Sequence, residues 1–302
     1  MKHFTVPLIL IVFNRVEKTK QLIKILELLT PSNLYVVSDG PRLTHPDDQE
    51  KVEEIRELFN NIPWECDIKR IYSSKNLGLK DRVISGLNNV FLIEDKAIIL
   101  EDDLQPSLDF FYFAAELLEK YKNSSNIFSV CGTNQFGTMP ANNNESYFFS
   151  IFTNSWGWAT WKDKWDLFNS DLSNYDILKA NGFFKFVLKG KRSELYWKHV
   201  YNLVESGKIN SWAYRWMMTS WLNNGVNVVP TKNLIRNVGV DNKATHTKSI
   251  RFYIKNPVFP IVFPLIHPKF PLINYNYDTL CENFIYSKSF LGRLKWLKEK
   301  YF

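Results

Sequence analysis

Between residues 8 and 130, short apolar runs alternate with segments of helical periodicity, and this alternation restricts the fold more than any other feature. Leu8–Phe13 is a continuous apolar run, the pattern of a strand buried on both faces. Glu17–Leu29 places Leu22, Ile25, Leu26 and Leu29 on one helical face. Leu34–Ser38 reads as a second strand that ends in the turn signal Asp39-Gly40-Pro41. Asp48–Phe59 reads as a charged helix, Asp67–Tyr72 as a third strand and Lys80–Leu92 as a helix. Ala97–Leu100 is a fourth buried strand, followed by a helix over Ser107–Tyr121 and a short strand over Ile127–Val130. Such repetition predicts an α/β fold with a mostly parallel central sheet flanked by helices. Ligands of these sheets bind beyond the carboxyl ends of the strands. Asn14-Arg15, Asp39-Gly40 and Glu101-Asp102-Asp103 all fall at that edge.

The second half loses the alternation and becomes rich in Trp and Asn, with Trp156, Trp158, Trp161, Trp165, Trp197, Trp212, Trp216 and Trp221. It reads as a subdomain built on the same sheet. Surplus aromatics serve a core, and they also pack on the C–H faces of sugar rings; composition favours the core. Residues 253–286 read as a Pro- and aromatic-rich wrap. The three cysteines lack metal-ligand spacing, which suits a reducing cytoplasm. No run approaches the roughly 18 apolar residues of a membrane span. The net charge of +7 suits anionic lipid or phosphorylated substrates as well as plain solubility; no nucleic-acid partner is expected.

The chemistry concentrates in Ile98-Ile99-Leu100-Glu101-Asp102-Asp103. Carboxylates after a buried strand make a hard-oxygen site. Mg²⁺ or Mn²⁺ takes one or two such groups and completes its shell with substrate phosphates. There it would neutralise a diphosphate leaving group. The same triplet also reads as a solvated acidic turn, but its place after an apolar strand and before Pro106 and a helix favours the site. GxxxxGK[ST] and GxGxxG are absent, which argues against a P-loop kinase or a nicotinamide enzyme.

The segment Ala97–Tyr121, AIILEDDLQPSLDFFYFAAELLEKY, resembles the DXD region of GT-A fold glycosyltransferases. It is most similar to the N-acetylglucosaminyltransferase I-like family and its bacterial sugar-transferase relatives. The resemblance covers roughly residues 6–250 and includes PLILIVFNR, Ser38-Asp39-Gly40, SVCGTN, GWATWKDKW, SWAYRW and ATHT, in shared order. It implies a GT-A fold, a nucleotide-sugar donor such as a UDP-sugar, a glycan or lipid-linked glycan acceptor, and Mn²⁺ or Mg²⁺ as cofactor. Arg15 and Asp39 would contact the nucleotide, with the Asp39 carboxylate accepting from a uracil N–H. Asp102 would lie near the ribose, and Asp103 would ligate the metal. Trp156, Gly157 and Trp158 would form part of the sugar pocket, and Trp212 would line the acceptor side. His246 would sit over the diphosphate, or is an ordinary loop histidine.

One position departs from the family pattern. An inverting enzyme needs a base for the acceptor hydroxyl, and the family carries an Asp where this chain has Ala213. An engineered Asp→Ala change, a different base, and an inactive sugar-binding relative all remain open. Glu205 and Asp241 are the nearest carboxylates along the chain. A nucleotidyltransferase acting on sugar phosphates is the rival enzyme, but it would need a Gly-rich basic loop after the first strand. The expected organisation is a nucleotide-sugar half over 1–135, an acceptor half over 136–252, and a C-terminal part over 253–302. Within the last, 287–302 (SKSFLGRLKWLKEKYF) reads as a basic amphipathic helix, either peripheral on the inner face of a membrane or packed on the domain.

Overall fold

In the computed structural model, residues 3–139, 144–170, 174–239 and 257–286 are described. The first half runs β1 (Leu8–Val12), α1 (Val16–Leu29), β2 (Asn33–Ser38), α2 (Asp48–Leu58), β3 (Asp67–Tyr72), α3 (Leu79–Val90), β4 (Lys96–Glu101), β5 (Leu104–Pro106), α4 (Leu108–Lys120) and β6 (Ile127–Cys131). The second half adds β7 (Tyr147–Ser150), β8 (Trp158–Trp161), α5 (Lys162–Trp165), α6 (Tyr175–Ala180), α7 (Phe183–Val187), α8 (Lys191–Glu205), α9 (Trp212–Leu222), β9 (Val226–Pro230) and β10 (Ile235–Asn237). A short helix, α10 (Tyr275–Leu280), runs into a π-helical turn over Cys281–Ile285. The elements expected in the first half are present, with ends shifted by a residue or two.

Eight strands form one mixed sheet in the order β3-β2-β1-β4-β8-β6-β9-β7. The β3-β2, β2-β1 and β1-β4 pairings are parallel. That is why β1, β2 and β4 read as unbroken apolar runs: both faces are covered by crossover helices. Leu8, Ile9 and Leu10 are fully buried, and each such side chain contributes about 1.5–3 kcal/mol. On one face, Leu22, Leu26 and Leu29 of α1 and Phe110, Phe111 and Leu117 of α4 pack on the inward residues of β1, β2 and β4. On the other, Val83, Leu87 and Val90 of α3 meet Ile9, Val37 and Ile99.

β8 runs antiparallel between β4 and β6, so the two halves of the chain share one sheet. β9 is parallel to β6, and β7 closes the edge antiparallel to β9. A third cluster, around Trp197, Tyr201 and Trp221, joins α8 and α9 to Phe148, Val229 and Tyr277. The wrap runs along β7: Ser146 N donates to Ile266 O at 2.8 Å, and Ile273 bridges to Phe149. Among the described residues, no helix is long and apolar enough to cross a membrane. His246, Asp241 and 287–302 lie outside the described residues.

Candidate active site

Parallel pairing of β1 with β4, in the register Ile11 opposite Glu101, brings the chain after each strand to one place. Asp102 N donates to Ile11 O at 3.0 Å. Phe13 N in turn donates to Asp102 Oδ2 at 3.2 Å. Arg15, where α1 begins, reaches across with Nη1, 2.7 Å from Asp102 Oδ1 and 3.0 Å from Asp103 Oδ2. Both aspartates are buried, whereas the Arg15 side chain is 31% exposed. With the aspartates buried, the pair depends on its geometry, because the desolvation of the carboxylates offsets the attraction.

The cluster holds three carboxylates and one guanidinium. Burial pushes Glu101 up to about 8, and Asp103 and Asp102 add to the rise. Burial also raises Asp102, against the pull of Arg15. For Arg15, burial opposes the charge, but the attraction of Asp102 and Asp103 outweighs it, so the guanidinium holds its proton more tightly than usual. A surplus of negative charge at a rigid strand end is a ready place for a cation.

Asp103 leads into β5, which pairs antiparallel with β10. Val238 N donates to Asp103 O at 2.8 Å, and Gly239 lies against the Asp103 carboxylate. A Cβ at 239 would fall 1.9 Å from Asp103 Oδ2, so a larger residue there must displace the carboxylate. Val238 and Gly239 thus lie directly beside Asp103.

Asp39 stands at the end of β2, one strand over, and its carboxylate is fully engaged. It accepts from Gly40 N and Leu77 N at 2.9 Å, from Gly78 N at 2.9 Å and from Asn76 Nδ2 at 3.1 Å. A carboxylate offers about four lone-pair sites. Asp39 thus ties the loop entering α3 to the sheet. Arg56 braces the same corner, donating to Asp39 O at 3.0 Å and Ser73 O at 2.7 Å. Arg82 of α3 is buried nearby, with Nε and Nη2 unpartnered among the described residues, and desolvation lowers its pKa. Asn14 Nδ2 donates to Asp48 Oδ1 at 2.8 Å, and Arg42 Nε donates to Asp48 Oδ2 at 2.6 Å. The Arg42 hydrogen bonds pull Asp48 down to about 2.

Arg15, Asp102 and Asp103 are brought together, and Asp39 lies at the same sheet edge. Trp158 and Trp212 are core side chains, stacked with ring centroids 5.5 Å apart. Trp156 is half-buried against the α1/α4 face, and its carbonyl accepts from Thr133 Oγ1 at 2.7 Å. Gly157 has φ +64°, and a Cβ there would lie 1.9 Å from Ile235 Cδ1, so the turn before β8 needs glycine. Ala213 is half-buried in the first turn of α9, beside the cluster that holds Trp212 and Trp216.

The supporting set of Asn76, Arg56, Arg82 and Asp48 was not found by reading the sequence. The pattern Asn76-Leu77-Gly78 was the available turn signal. Asp102 and Asp103 supply hard oxygens suited to Mg²⁺ or Mn²⁺, and the deficit of positive charge around them fits such an ion. Among the described residues, no group of three or more His, Cys, Asp or Glu side chains could hold a metal unaided.

No protein-family model and no curated protein matches the sequence. Solved structures with partial likeness include a UDP-glucose pyrophosphorylase complexed with UDP-glucose, at 8% identity and TM-score 0.40, covering 83% of this chain and 97% of that one. Another is a mannosyltransferase from Pyrobaculum calidifontis in complex with GDP-Man and Mn²⁺, at 12% identity and TM-score 0.37, covering 71% and 74%. A third is the apo form of mouse xyloside xylosyltransferase 1, at 11% identity and TM-score 0.35, covering 72% and 81%. These scores are too low to assign a function, which has to be argued from the site.

Proposed function

We propose that this chain is a GT-A fold glycosyltransferase that moves a hexose or N-acetylhexosamine from a UDP-sugar to a glycan or lipid-linked glycan, with inversion. The carrying observation is the Arg15–Asp102–Asp103 cluster at the adjoining ends of β1 and β4. Asp103 would hold Mn²⁺ or Mg²⁺ together with the donor diphosphate, and the ion would supply charge neutralisation for the leaving group. Arg15 would hold the two aspartates in place and offer its exposed side to the nucleotide. Asp102, fixed by Phe13 N and Arg15, would lie near the ribose. Asp39 shapes the nucleoside end through the loop at 76–78. Trp156 and Gly157, in the turn before β8, would border the sugar pocket, with Trp158 and Trp212 packed in the core, and His246 would act at the diphosphate.

Ala213 stands where an inverting base belongs in the resembling family, and a methyl group takes no proton. Its place in the first turn of α9 suits a carboxylate, which the helix dipole favours there. We read it as replacing an Asp. The chain between β1 and α1 is only Phe13–Arg15, with no Gly-rich phosphate loop, and this favours sugar transfer over nucleotidyl transfer. The setting would be bacterial surface polysaccharide or lipooligosaccharide assembly at the inner face of the membrane.

The test is UDP release from a panel of UDP-sugars with Mn²⁺, by the protein as it stands and by Ala213→Asp. The proposal expects slow release by the former and faster release by the latter. Pyrophosphate-dependent formation of UTP from a UDP-sugar, with no sugar transfer by either protein, would replace the proposal with nucleotidyl transfer.

A further inference from the structure

A second surface, separate from the strand ends, carries its own chemistry. Phe186 on α7 is 83% exposed, and Phe284 in the π-helical turn is 73% exposed. They lie on two segments that the fold holds together. Glu282 is buried and accepts from Lys189 N at 3.0 Å and Gly190 N at 2.6 Å, which pins the π-helical turn to the α7–α8 junction. Lys189 Nζ sits 3.2 Å from the ring centroid of Tyr275, itself exposed. Lys185, Lys189, Lys191 and Arg192, in and just after α7, are all exposed. The nearest acids are quenched: Glu194 accepts from Lys198 at 2.6 Å, and Glu282 is committed to backbone. Leu195, one turn into α8, is also half exposed.

The chain leaves the described structure at this same place. Tyr286 packs on Trp197 of α8 with ring centroids 4.8 Å apart. Residues 287–302 follow, carrying five bases and one acid among Phe290, Leu291, Leu294, Trp296 and Leu297. A cationic, aromatic face is thus continuous in the chain with a cationic, aromatic segment.

We propose that the face formed by residues 185–195 with Tyr275 and Phe284 docks on an anionic lipid bilayer. Bases alone would suit any polyanion, because nucleic-acid phosphates recruit mainly charge. Exposed Phe186, flanked in the chain by Lys185 and Lys189, and Phe284 on the segment pinned beside it match the interfacial region of a bilayer, which takes apolar side chains and cations together. The inference does not depend on the reaction catalysed at the strand ends.

The experiment is sedimentation of the full chain with vesicles of phosphatidylcholine alone, and with vesicles containing about one third phosphatidylglycerol. The intact chain should bind the anionic vesicles, and high salt should release it. Each removed cation should weaken binding about fivefold, so K185Q/K191Q/R192Q should weaken it about a hundredfold. F186S/F284S should also weaken binding at low salt. These side chains are exposed, so circular dichroism should match the parent. A variant lacking 287–302 should retain binding that the triple substitution removes. Undiminished binding by the triple variant, equal binding to uncharged vesicles, loss of all binding with 287–302 alone, or displacement by an oligonucleotide would each overturn the proposal.

Discussion

Asp39 gives the sharpest separation between what resemblance implies and what geometry supports. The resemblance hands its carboxylate to a nucleobase. In the fold, four donors already use it: Gly40 N, Leu77 N, Gly78 N and Asn76 Nδ2. Asp39→Ala would strand these donors in a corner where Asp39 itself is only 5% exposed. An unsatisfied buried donor costs about 1–3 kcal/mol. Leu77 is exposed and Gly78 half-buried, so water recovers part of that, and the expected loss of stability is about 2–4 kcal/mol. Asp39→Asn keeps one carbonyl oxygen but turns an NH₂ group toward another N–H, so it should still cost about 1–2 kcal/mol. Urea denaturation reads both values from the midpoint shift at constant slope. Titration of folded Asp39→Asn with UDP should give an affinity within about threefold of the parent, a change of under about 1 kcal/mol. A variant destabilised by under about 0.5 kcal/mol that binds UDP at least about tenfold more weakly would refute the reasoning and return Asp39 to the base.

Three further outcomes follow from other parts of the fold. Burial pushes Asp278 up to about 7, against the donors Ser150 Oγ and Ile151 N. The folded chain therefore holds that proton more tightly than the unfolded one, and stability should fall as pH rises from about 4 to about 7, by about 4 kcal/mol at most. Thermal melts of Asp278→Asn should lack that slope, and an identical pH dependence in both proteins would contradict the assignment. Gly157→Ala combines a positive φ with a Cβ 1.9 Å from Ile235 Cδ1; it should cost about 2–5 kcal/mol in denaturant, and a loss under about 1 kcal/mol would show that the turn relaxes. Ala213→Asp should raise kcat by about 10²–10⁴ with little change in donor affinity, and an unchanged rate would place the base elsewhere.

The parallel half of the sheet was legible because strands buried on both faces must be uniformly apolar, as β1, β2 and β4 are. The convergence of Arg15 with Asp102 and Asp103 was legible for the same reason: polar residues that end apolar runs have to emerge at the carboxyl edge. The second half was less so. β8 and β9 are short and carry Trp, Asn and Pro, and β7 is a four-residue strand within the short run Tyr147–Phe152, so no helix-strand alternation marks them. The tryptophans were equally ambiguous, since Trp158 and Trp212 turn out to be stacked core. The role of Asp39 depends on Leu77 and Gly78, nearly forty positions away, and no local pattern encodes such a contact. Gly239 shows the same limit, because its need for a bare Cα arises only from the close approach of Asp103.

The central claim is that Asp103, steadied by Arg15, binds a nucleoside diphosphate through a divalent cation. Calorimetric titration of UDP with Mn²⁺ and with EDTA, on the parent and on Asp103→Asn, tests it most directly. Asn keeps the size of the side chain against Gly239 while removing the charge. The account predicts binding by the parent in Mn²⁺, loss of at least about tenfold in EDTA, and the same weak, metal-independent binding by Asp103→Asn, with both proteins equally folded. Equal affinity in Mn²⁺ and EDTA, or an undiminished Mn²⁺ effect in Asp103→Asn, would contradict it.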